Sequence, residues 1–324
     1  MDDVCPAPAR IKYDAPRPIV IVLGMHRSGT SLTSNMLAAL GIDMADRSFP
    51  SPFNPRGHWE RPRINDLHDM ILLGFGRGWE QVTHPRPLPD QWWKKPRVRQ
   101  LRSHIIEYLI PKLQTSPLIG IKDPRLSRLL PLWREIFAAL SLAPIFVFCV
   151  RDAIQVSRSL MVRDAMPKIF GLHRWLVYNA DIALALENDP VCVLPYEEWF
   201  SDPQSTVQRL INSLPTAPAS SSQARNVIDA SLRHDDPHIA ITPALCQNFY
   251  DAICRATTTG KLDDNAKSIA RMITDHEAII GPMLTEMQIL RVSVGEQNGA
   301  IGNLEALVHS QRQQLKELSI SAVT

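Results

Sequence analysis

A strand, a tight turn and the start of a helix follow one another at residues 19–32, and this stretch constrains the fold more than any other. Residues 19–23 (IVIVL) are apolar and mostly β-branched, which is typical of a strand buried on both faces of a parallel sheet. Apolar residues then recur at helical spacing, so residues 28–31 are predicted to open a helix. This order of elements gathers unpaired N–H groups and the positive helix end at one point, which predicts an anion-binding turn.

The turn has the spacing of a nucleotide P-loop, with glycines at Gly24 and Gly29. Thr30 stands where an ATP- or GTP-hydrolysing enzyme carries the lysine that reaches the β- and γ-phosphates, which argues against that chemistry. A cation is present inside the loop instead, as Arg27. The string GMHRSGTS at residues 24–31 resembles the 5′-phosphosulfate loop of sulfotransferases, which use 3′-phosphoadenosine 5′-phosphosulfate (PAPS) as donor. The resemblance implies a set of donor-binding residues: Arg27, Ser28, Gly29, Thr30 and Ser31.

A second motif, VRDAIQVSRSL at residues 150–160, places Arg151 at a strand end and Ser159 two turns into the next helix. It resembles the 3′-phosphate motif of sulfotransferases, which implies that Arg151 and Ser159 hold the 3′-phosphate of PAPS. A guanidinium offers a forked donor to phosphate oxygens, and a hydroxyl adds a further bond. The structural alternative is that Arg151 pairs with a neighbouring acid and Ser159 lies on the helix surface.

Two further segments extend the resemblance over about residues 18–255. The sequence KDPR at residues 122–125 resembles the lysine-containing strand end of tyrosylprotein and bacterial carbohydrate sulfotransferases. Residues 54–60 (NPRGHWE) resemble the segment that supplies an acidic residue in bacterial members, and Tyr196-Glu197 ends a strand as in many members. Pro124 stands where the cytosolic small-molecule enzymes place a catalytic histidine, so the base must lie elsewhere.

The resemblance implies in-line sulfuryl transfer with the roles divided among three catalytic residues. Arg27 is assigned to the bridging oxygen and the 5′-phosphate, Lys122 to the sulfuryl oxygens and Glu60 to the acceptor proton. No metal is expected to take part. Weaker candidates complete the site: His58 and Asp123 as alternative bases, His173 and Arg174 facing the acceptor, and Arg233-His234 closing over the 3′-phosphate.

Strand-like and helical segments alternate after the first helix, and one helix is predicted to run from Trp175 to Leu186. The predicted fold class is α/β, a P-loop-like three-layer fold with a central parallel sheet flanked by helices and a C-terminal helical or coiled-coil extension. Ligands of such sheets bind at the carboxyl ends of the strands, where three of four predicted strand ends carry cations. The predicted domains are a tail at 1–17, a sulfotransferase domain at 18–260 and a helical extension at 261–324.

The extension carries apolar residues at alternating steps of three and four from Ile280 to Leu318, with glutamine at two of these positions. Heptad spacing of this kind predicts a coiled coil and a homodimer or larger oligomer. The alternative is a long amphipathic helix packed on its own domain. Three glycines, Gly295, Gly299 and Gly302, weaken the helix by roughly 1 kcal/mol each relative to alanine.

Composition limits the partners of this 324-residue chain. A net charge of +2 gives no bulk electrostatic reason to expect binding to nucleic acid. Five cysteines without zinc spacing indicate a reducing compartment, with Cys149 and Cys192 as small buried hydrophobes. The N-terminus lacks the pattern of a secretory leader, and no apolar run is long enough to span a bilayer. We therefore expect a soluble, cytoplasmic protein without an integral membrane segment.

Three functions stay open on the sequence. The first is sulfate transfer from PAPS to a hydroxyl, the second a P-loop kinase or other nucleotide-phosphate enzyme, and the third a catalytically silent coiled-coil scaffold. The acceptor of the first is expected to be a small molecule or a glycan, with a carbohydrate or glycoconjugate preferred. Trp79, Trp92 and Trp93 would stack on sugar rings, or they are packing residues.

Overall fold

A parallel sheet forms the centre of the molecule. The computed structural model describes residues 15–45, 50, 57–76, 88–186, 188–215, 227–228 and 242–321. Within these residues the sheet has four strands in the order β2-β1-β3-β4, and every neighbouring pair is parallel. The strands are β1 (Arg17–Leu23), β2 (Ile119–Lys122), β3 (Leu142–Val150) and β4 (Val191–Pro195). The predicted α/β class with a central parallel sheet is confirmed.

Helices connect the strands and follow the sheet. They are α1 (Thr30–Ala39), α2 (Pro62–Leu73), α3 (Pro96–Thr115), α4 (Leu126–Ala139), α5 (Ala153–Asp164), α6 (Lys168–Leu186), α7 (Glu198–Ser201), α8 (Pro203–Asn212), α9 (Ala244–Cys254), α10 (Ala256–Thr259) and α11 (Asp264–Ser321), with a 3-10 turn at Trp92–Lys94.

One predicted helix start was wrong by two turns. The sequence pattern placed the beginning of α6 at Trp175, whereas the helix begins at Lys168. Gly171 disfavours a helix by propensity, but a side chain there would come within 2.8 Å of the Ser157 hydroxyl on α5. Close packing of α5 on α6 therefore requires a glycine at this position, and the packing outweighs the low helix propensity of glycine.

Helices cover both faces of the sheet. On one face, Val20, Val147 and Cys192 pack with Met36 of α1 and Leu210 of α8 in a single core cluster. On the other, Phe146 of β3 meets Phe137 of α4 with ring centroids 6.4 Å apart. α6 packs against α4 and α5 outside that layer. The three-layer arrangement of the prediction is thus present.

The two cysteines predicted to be buried are buried. Cys149 and Cys192 are both free thiols inside the sheet. Burial raises the pKa of Cys149 to about 12 and that of Cys192 to about 11, so both are protonated at neutral pH. They act as small hydrophobes.

Strand register brings the carboxyl ends of the strands to one edge. Val22 lies opposite Lys122 across β1 and β2, Leu23 lies opposite Phe148, and Val150 lies opposite Pro195. The segments that follow the four strands therefore begin at nearly the same level, which is where parallel sheets bind ligands.

The chain divides into two compact units, Met1–Ala278 and Ile279–Thr324. α11 runs through the division, and the predicted domain bounds of 18–260 and 261–324 stay a prediction. None of the helices in the described residues is both long and apolar enough for a membrane span.

Candidate active site

The turn after β1 adopts a backbone that favours glycine at two positions. Gly24 has φ +142, and a side chain there would lie 2.5 Å from the carbonyl oxygen of Cys149 on β3. Gly29 has φ +90, and a side chain there would lie 2.7 Å from the Tyr196 ring. Arg27 also has a positive φ, of 69°. A non-glycine residue in this region is held there by its surroundings, and such residues concentrate at functional sites.

The start of α1 offers hydrogen-bond donors to an anion. Gly29 is the residue before the helix, and no side chain caps the N–H groups of the first turn. α1 begins at Thr30, within the range 28–31 that was predicted to open it. The Ser28 hydroxyl is fully buried and has no hydrogen-bond partner among the described residues. A phosphate group in this turn would satisfy the amides and the hydroxyl together, so the residues fit such a group.

The two anion motifs of the sequence meet in space. Nε of Arg27 donates to the Ser159 hydroxyl over 2.7 Å, across 132 residues of sequence. Nη1 of Arg151 donates to the carbonyl oxygen of Arg27 over 3.4 Å. Arg27, Arg151 and Ser159 thus lie in contact where the segments after β1 and β3 meet α5. The sequence predicted each motif separately, and the sheet register joins them.

Tyr196, at the end of β4, packs on both motifs. The centroid of its ring lies 4.1 Å from the guanidinium carbon of Arg151. The edge of the same ring leaves no room for a side chain at Gly29. Its backbone N–H donates to the carbonyl of Val150 over 2.7 Å, which fixes it beside β3. The cation–π contact holds the Arg151 guanidinium in place. Sequence reasoning placed Tyr196 at a strand end and missed this role.

A lysine–glutamate pair forms the other side of the site. Nζ of Lys122 lies 2.5 Å from Oε1 of Glu60, 3.0 Å from the carbonyl oxygen of His58 and 3.3 Å from the Ser31 hydroxyl. The Lys122 side chain is 3% exposed and that of Glu60 17%. Asn65 of α2 donates to the second Glu60 oxygen over 2.6 Å. Lys122 thereby links the acidic segment to the phosphate-binding turn.

The histidines near this pair are neutral at physiological pH. Burial lowers the pKa of His58, and Lys122 lowers it further, although Glu60 acts in the opposite direction. Burial likewise lowers the pKa of His26, and Arg163 and Arg125 add to the effect. His58 therefore keeps a basic imidazole as an alternative to Glu60.

The carboxylate of Asp123 is engaged elsewhere. Oδ2 accepts from Nδ1 of His68 over 2.8 Å, and Oδ1 accepts from the Arg125 side chain over 2.9 Å. The Trp133 indole N–H donates to Nε2 of His68, so Nδ1 carries the proton. Burial by itself raises the pKa of Asp123, but Arg125 and His68 outweigh it and hold the pKa below its usual range. Such a carboxylate is a poor proton acceptor.

Arg125 is neutralised by two acids. Its guanidinium contacts Asp69 at 2.7 Å as well as Asp123. Both cations of the segment at residues 122–125 are therefore paired with acids, since Lys122 contacts Glu60.

Sequence reasoning missed Arg163 as a charged neighbour of Arg27. Burial lowers the pKa of Arg27, and the positive charges of Arg163 and Arg151 lower it further. Asp164 pairs with Arg163 at 2.7 Å and acts on the pKa of Arg27 in the opposite direction. The available signal was spacing: Arg163 follows Ser159 by four residues on α5 and so shares its helix face.

Other predicted site residues have contacts that give them no part in this cluster of hydrogen bonds, or lie outside the described residues. His173 contacts Glu277 at 2.5 Å, and Arg174 is buried within α6. Trp92 is buried and packs edge-on against Phe75, which supports a packing role. Across the described ranges, no group of three or more His, Cys, Asp or Glu side chains is placed to hold a metal ion. Residues 54–56, Trp79, Arg233 and His234 lie outside the described residues.

Comparison with known proteins identifies the family. Residues 18–217 match the sequence model of the Sulfotransferase family, so the chain belongs to that family and is a sulfotransferase. A search of curated proteins found no match.

Two solved structures resemble the chain. The sulfotransferase domain of the Synechococcus PCC 7002 olefin synthase is 19% identical, with 82% of this chain and 97% of that one covered at a TM-score of 0.40. The sulfotransferase domain from the curacin biosynthetic pathway is 14% identical, with 80% and 98% covered and a TM-score of 0.40.

Proposed function

We propose that the chain transfers the sulfuryl group of PAPS to a hydroxyl group of a carbohydrate or glycoconjugate. The observation that carries the proposal is the contact of Arg151 with the turn after β1, at 3.4 Å from the carbonyl of Arg27. A donor with one phosphate at the 5′ position and another at the 3′ position needs two cationic sites within one pocket. Arg27 and Arg151 supply them.

Each end of the donor has its own residues. At the 5′ end, the N–H groups of residues 29–31 and the Arg27 guanidinium bind the phosphate that becomes the leaving group, while the Ser28 N–H donates to the Met25 carbonyl over 3.2 Å. At the 3′ end, Arg151 donates to the second phosphate, and the Ser159 hydroxyl adds a bond. Ser159 is held at 2.7 Å from Arg27, so the two ends are coupled through one hydrogen bond.

The reaction is an in-line displacement at sulfur. The acceptor oxygen forms a bond to sulfur while the bond from sulfur to the 5′-phosphate oxygen breaks and its electron pair stays with the phosphate. Lys122 stabilises the negative charge on the sulfuryl oxygens. The acceptor proton passes to Glu60, whose second oxygen is held by Asn65 at 2.6 Å.

Side-chain exposure favours Glu60 over Asp123 as the base. The Glu60 carboxylate is paired with Lys122 but is 17% exposed, so an acceptor hydroxyl has access to it. Asp123 is fully buried, so an acceptor hydroxyl does not reach its carboxylate. His58 is a neutral imidazole in the same segment and is the alternative to be tested.

A cleft beside α4 supports the choice of a carbohydrate acceptor. It has a volume of about 530 Å³, and its lining includes Trp93, Asp90, Glu135, Asp181 and Ser127. Asp181 pairs with Arg128 and Glu135 with Arg102, so the Trp93 face and the Asp90 carboxylate are the groups suited to a sugar ring and its hydroxyls. The Ser127 hydroxyl accepts from the N–H of Gly24 over 3.2 Å, so one residue of the lining contacts the donor-binding turn.

The test of this function is a transfer assay with radiolabelled PAPS and a library of hydroxyl-bearing acceptors. The proposal expects labelled sulfate on a mono- or oligosaccharide, with 3′-phosphoadenosine 5′-phosphate (PAP) released in equal amount. If only non-sugar alcohols were sulfated, the proposed sulfuryl transfer would stand, but the proposed carbohydrate acceptor would be wrong. A preference for ATP and Mg²⁺ would favour the kinase alternative, and no response to either donor would favour the scaffold.

Replacing Arg151 with alanine should weaken PAP binding by roughly 100-fold, because two charge-assisted hydrogen bonds to the 3′-phosphate are lost. Calorimetry with PAP and with 5′-AMP measures the effect. Binding of 5′-AMP, which lacks the 3′-phosphate, should change by less than about threefold. Arg151→Lys serves as the control, because it keeps the positive charge but cannot donate two parallel hydrogen bonds to the phosphate. An equal loss for both ligands would contradict the assignment.

A further inference from the structure

We propose that residues 283–318 of α11 form a parallel, in-register, two-stranded coiled coil with a second copy of this chain. The inference does not depend on the proposed sulfuryl transfer. It specifies the expected self-association further, by giving the number of helices in the coiled coil, their relative direction and their register. The unit concerned is Ile279–Thr324, considered by itself.

The helix exposes a continuous apolar stripe. Its described members are between 45 and 63% exposed: Met283, Leu290, Val294, Ile301, Leu304 and Val308. They are separated by steps of three, four or seven residues, so they lie along one side of the helix. A stripe of this length on a helix requires a partner with a matching stripe.

Side-chain branching selects two strands. With Val294 at position a of the heptad, the a positions within 283–318 are Met287, Val294, Ile301, Val308 and Leu315, of which the central three are β-branched. The apolar d positions are Met283, Leu290, Leu304 and Leu318, mostly leucine. β-Branched residues at a with leucine at d favour parallel dimers over trimers and tetramers.

The polar positions select direction and register. Gln297 and Gln311 both fall at d, and every a position of the repeat is apolar. In an antiparallel pair, d residues of one strand form layers with a residues of the other, which would bury both amides against hydrocarbon. In a parallel, in-register pair each glutamine faces its own equivalent, and the two amides hydrogen-bond to each other. An unsatisfied buried amide costs about 1–3 kcal/mol, so the parallel register is preferred.

Outward positions agree with this register. Gly295, Gly299 and Gly302 fall at b and f, and a side chain at any of them would meet nothing within 4 Å. The glycines therefore lie off the proposed interface. Glu286 falls at g and Arg291 at e, five residues later. A parallel pair brings Glu286 of one copy to Arg291 of the second copy, with opposite charges.

Light scattering on the full chain tests the strand number. We expect twice the chain mass, and Ile301→Lys/Leu304→Lys should give a monomer. Gly302→Lys/Asn303→Lys adds the same charge at outward positions and should stay dimeric. All seven tryptophans precede residue 279. An unchanged near-ultraviolet circular dichroism spectrum of the Ile301→Lys/Leu304→Lys variant would therefore establish that the unit before residue 279 keeps its fold. A monomeric or trimeric unmodified chain, or a dimer that survives the seam substitution, would overturn the proposal.

Cysteine crosslinking tests direction and register. Under mild oxidation, Gln297→Cys should form a disulfide-linked dimer, because the two thiols face each other in the parallel register. Asn303→Cys, at an outward position, and the unmodified chain should not. If the same segment paired antiparallel, residue 297 would share a layer with an a residue such as Ile301 or Val308, and the two copies of residue 297 would be offset by roughly 6 Å or more along the axis. A light-scattering dimer in which the Gln297→Cys variant forms no crosslink would therefore contradict the parallel arrangement.

Discussion

Replacing Glu60 with glutamine should lower kcat by between about 100-fold and 10,000-fold, the range typical of a general base. The amide has nearly the shape of the carboxylate but cannot take the acceptor proton. Affinity for PAP should stay within a few-fold, because Glu60 contacts Lys122 and Asn65 and is absent from both phosphate sites. Steady-state kinetics with saturating PAPS and calorimetry with PAP measure the two quantities.

His58→Asn is the matched control for the base. His58 lies two residues from Glu60, and its pKa is lowered, so its imidazole is neutral at the pH of the assay. We expect this variant to retain kcat within about tenfold. The opposite pattern, with Glu60→Gln active and His58→Asn inactive, would transfer the role of base to His58.

Replacing Lys122 with alanine should lower kcat by roughly 100- to 1,000-fold, the usual cost of one preorganised donor to the transition state. The Lys122 side chain is 3% exposed and contacts Ser31 at the mouth of the phosphate-binding turn. Its charge acts on the sulfuryl oxygens, which the product PAP lacks. PAP affinity should therefore change far less than kcat.

Lys122→Arg provides the control for this prediction. It keeps the positive charge but replaces the compact ammonium with a planar fork, and it should recover part of the lost rate. A fall in PAP affinity as large as the fall in kcat would place Lys122 at a phosphate instead. Unchanged kcat in Lys122→Ala would remove it from the reaction altogether.

The elements that the sequence predicts well are those whose signal is local. The β1 strand, the turn at residues 24–31 and the motif at residues 150–160 each carry their pattern within about a dozen residues. Parallel pairing then places the strand ends level, which is a general property of such sheets. The contact between Arg151 and the backbone of Arg27 follows from the local motifs together with this level alignment of the strand ends.

The parts that the sequence does not predict depend on contacts between distant segments. The positive charge of Arg125 is paired with Asp69, which is 56 residues away on α2. Tyr196 meets Gly29 and Arg151 only because β4 lies beside β3. Likewise, Gly171 reads as a helix breaker until its contact with Ser157 is known. No local pattern carries these pairings, since each is set by packing of the whole domain.

The central claim is that one pocket binds a nucleotide with phosphates at both the 3′ and 5′ positions. Calorimetry of the full chain with PAP, 5′-AMP and ATP with Mg²⁺ tests it most directly. The account predicts that PAP binds roughly 100-fold more tightly than 5′-AMP, through Arg151 and Ser159, and that ATP with Mg²⁺ binds no more tightly than 5′-AMP. Equal affinities for PAP and 5′-AMP, or tightest binding of ATP with Mg²⁺, would contradict it.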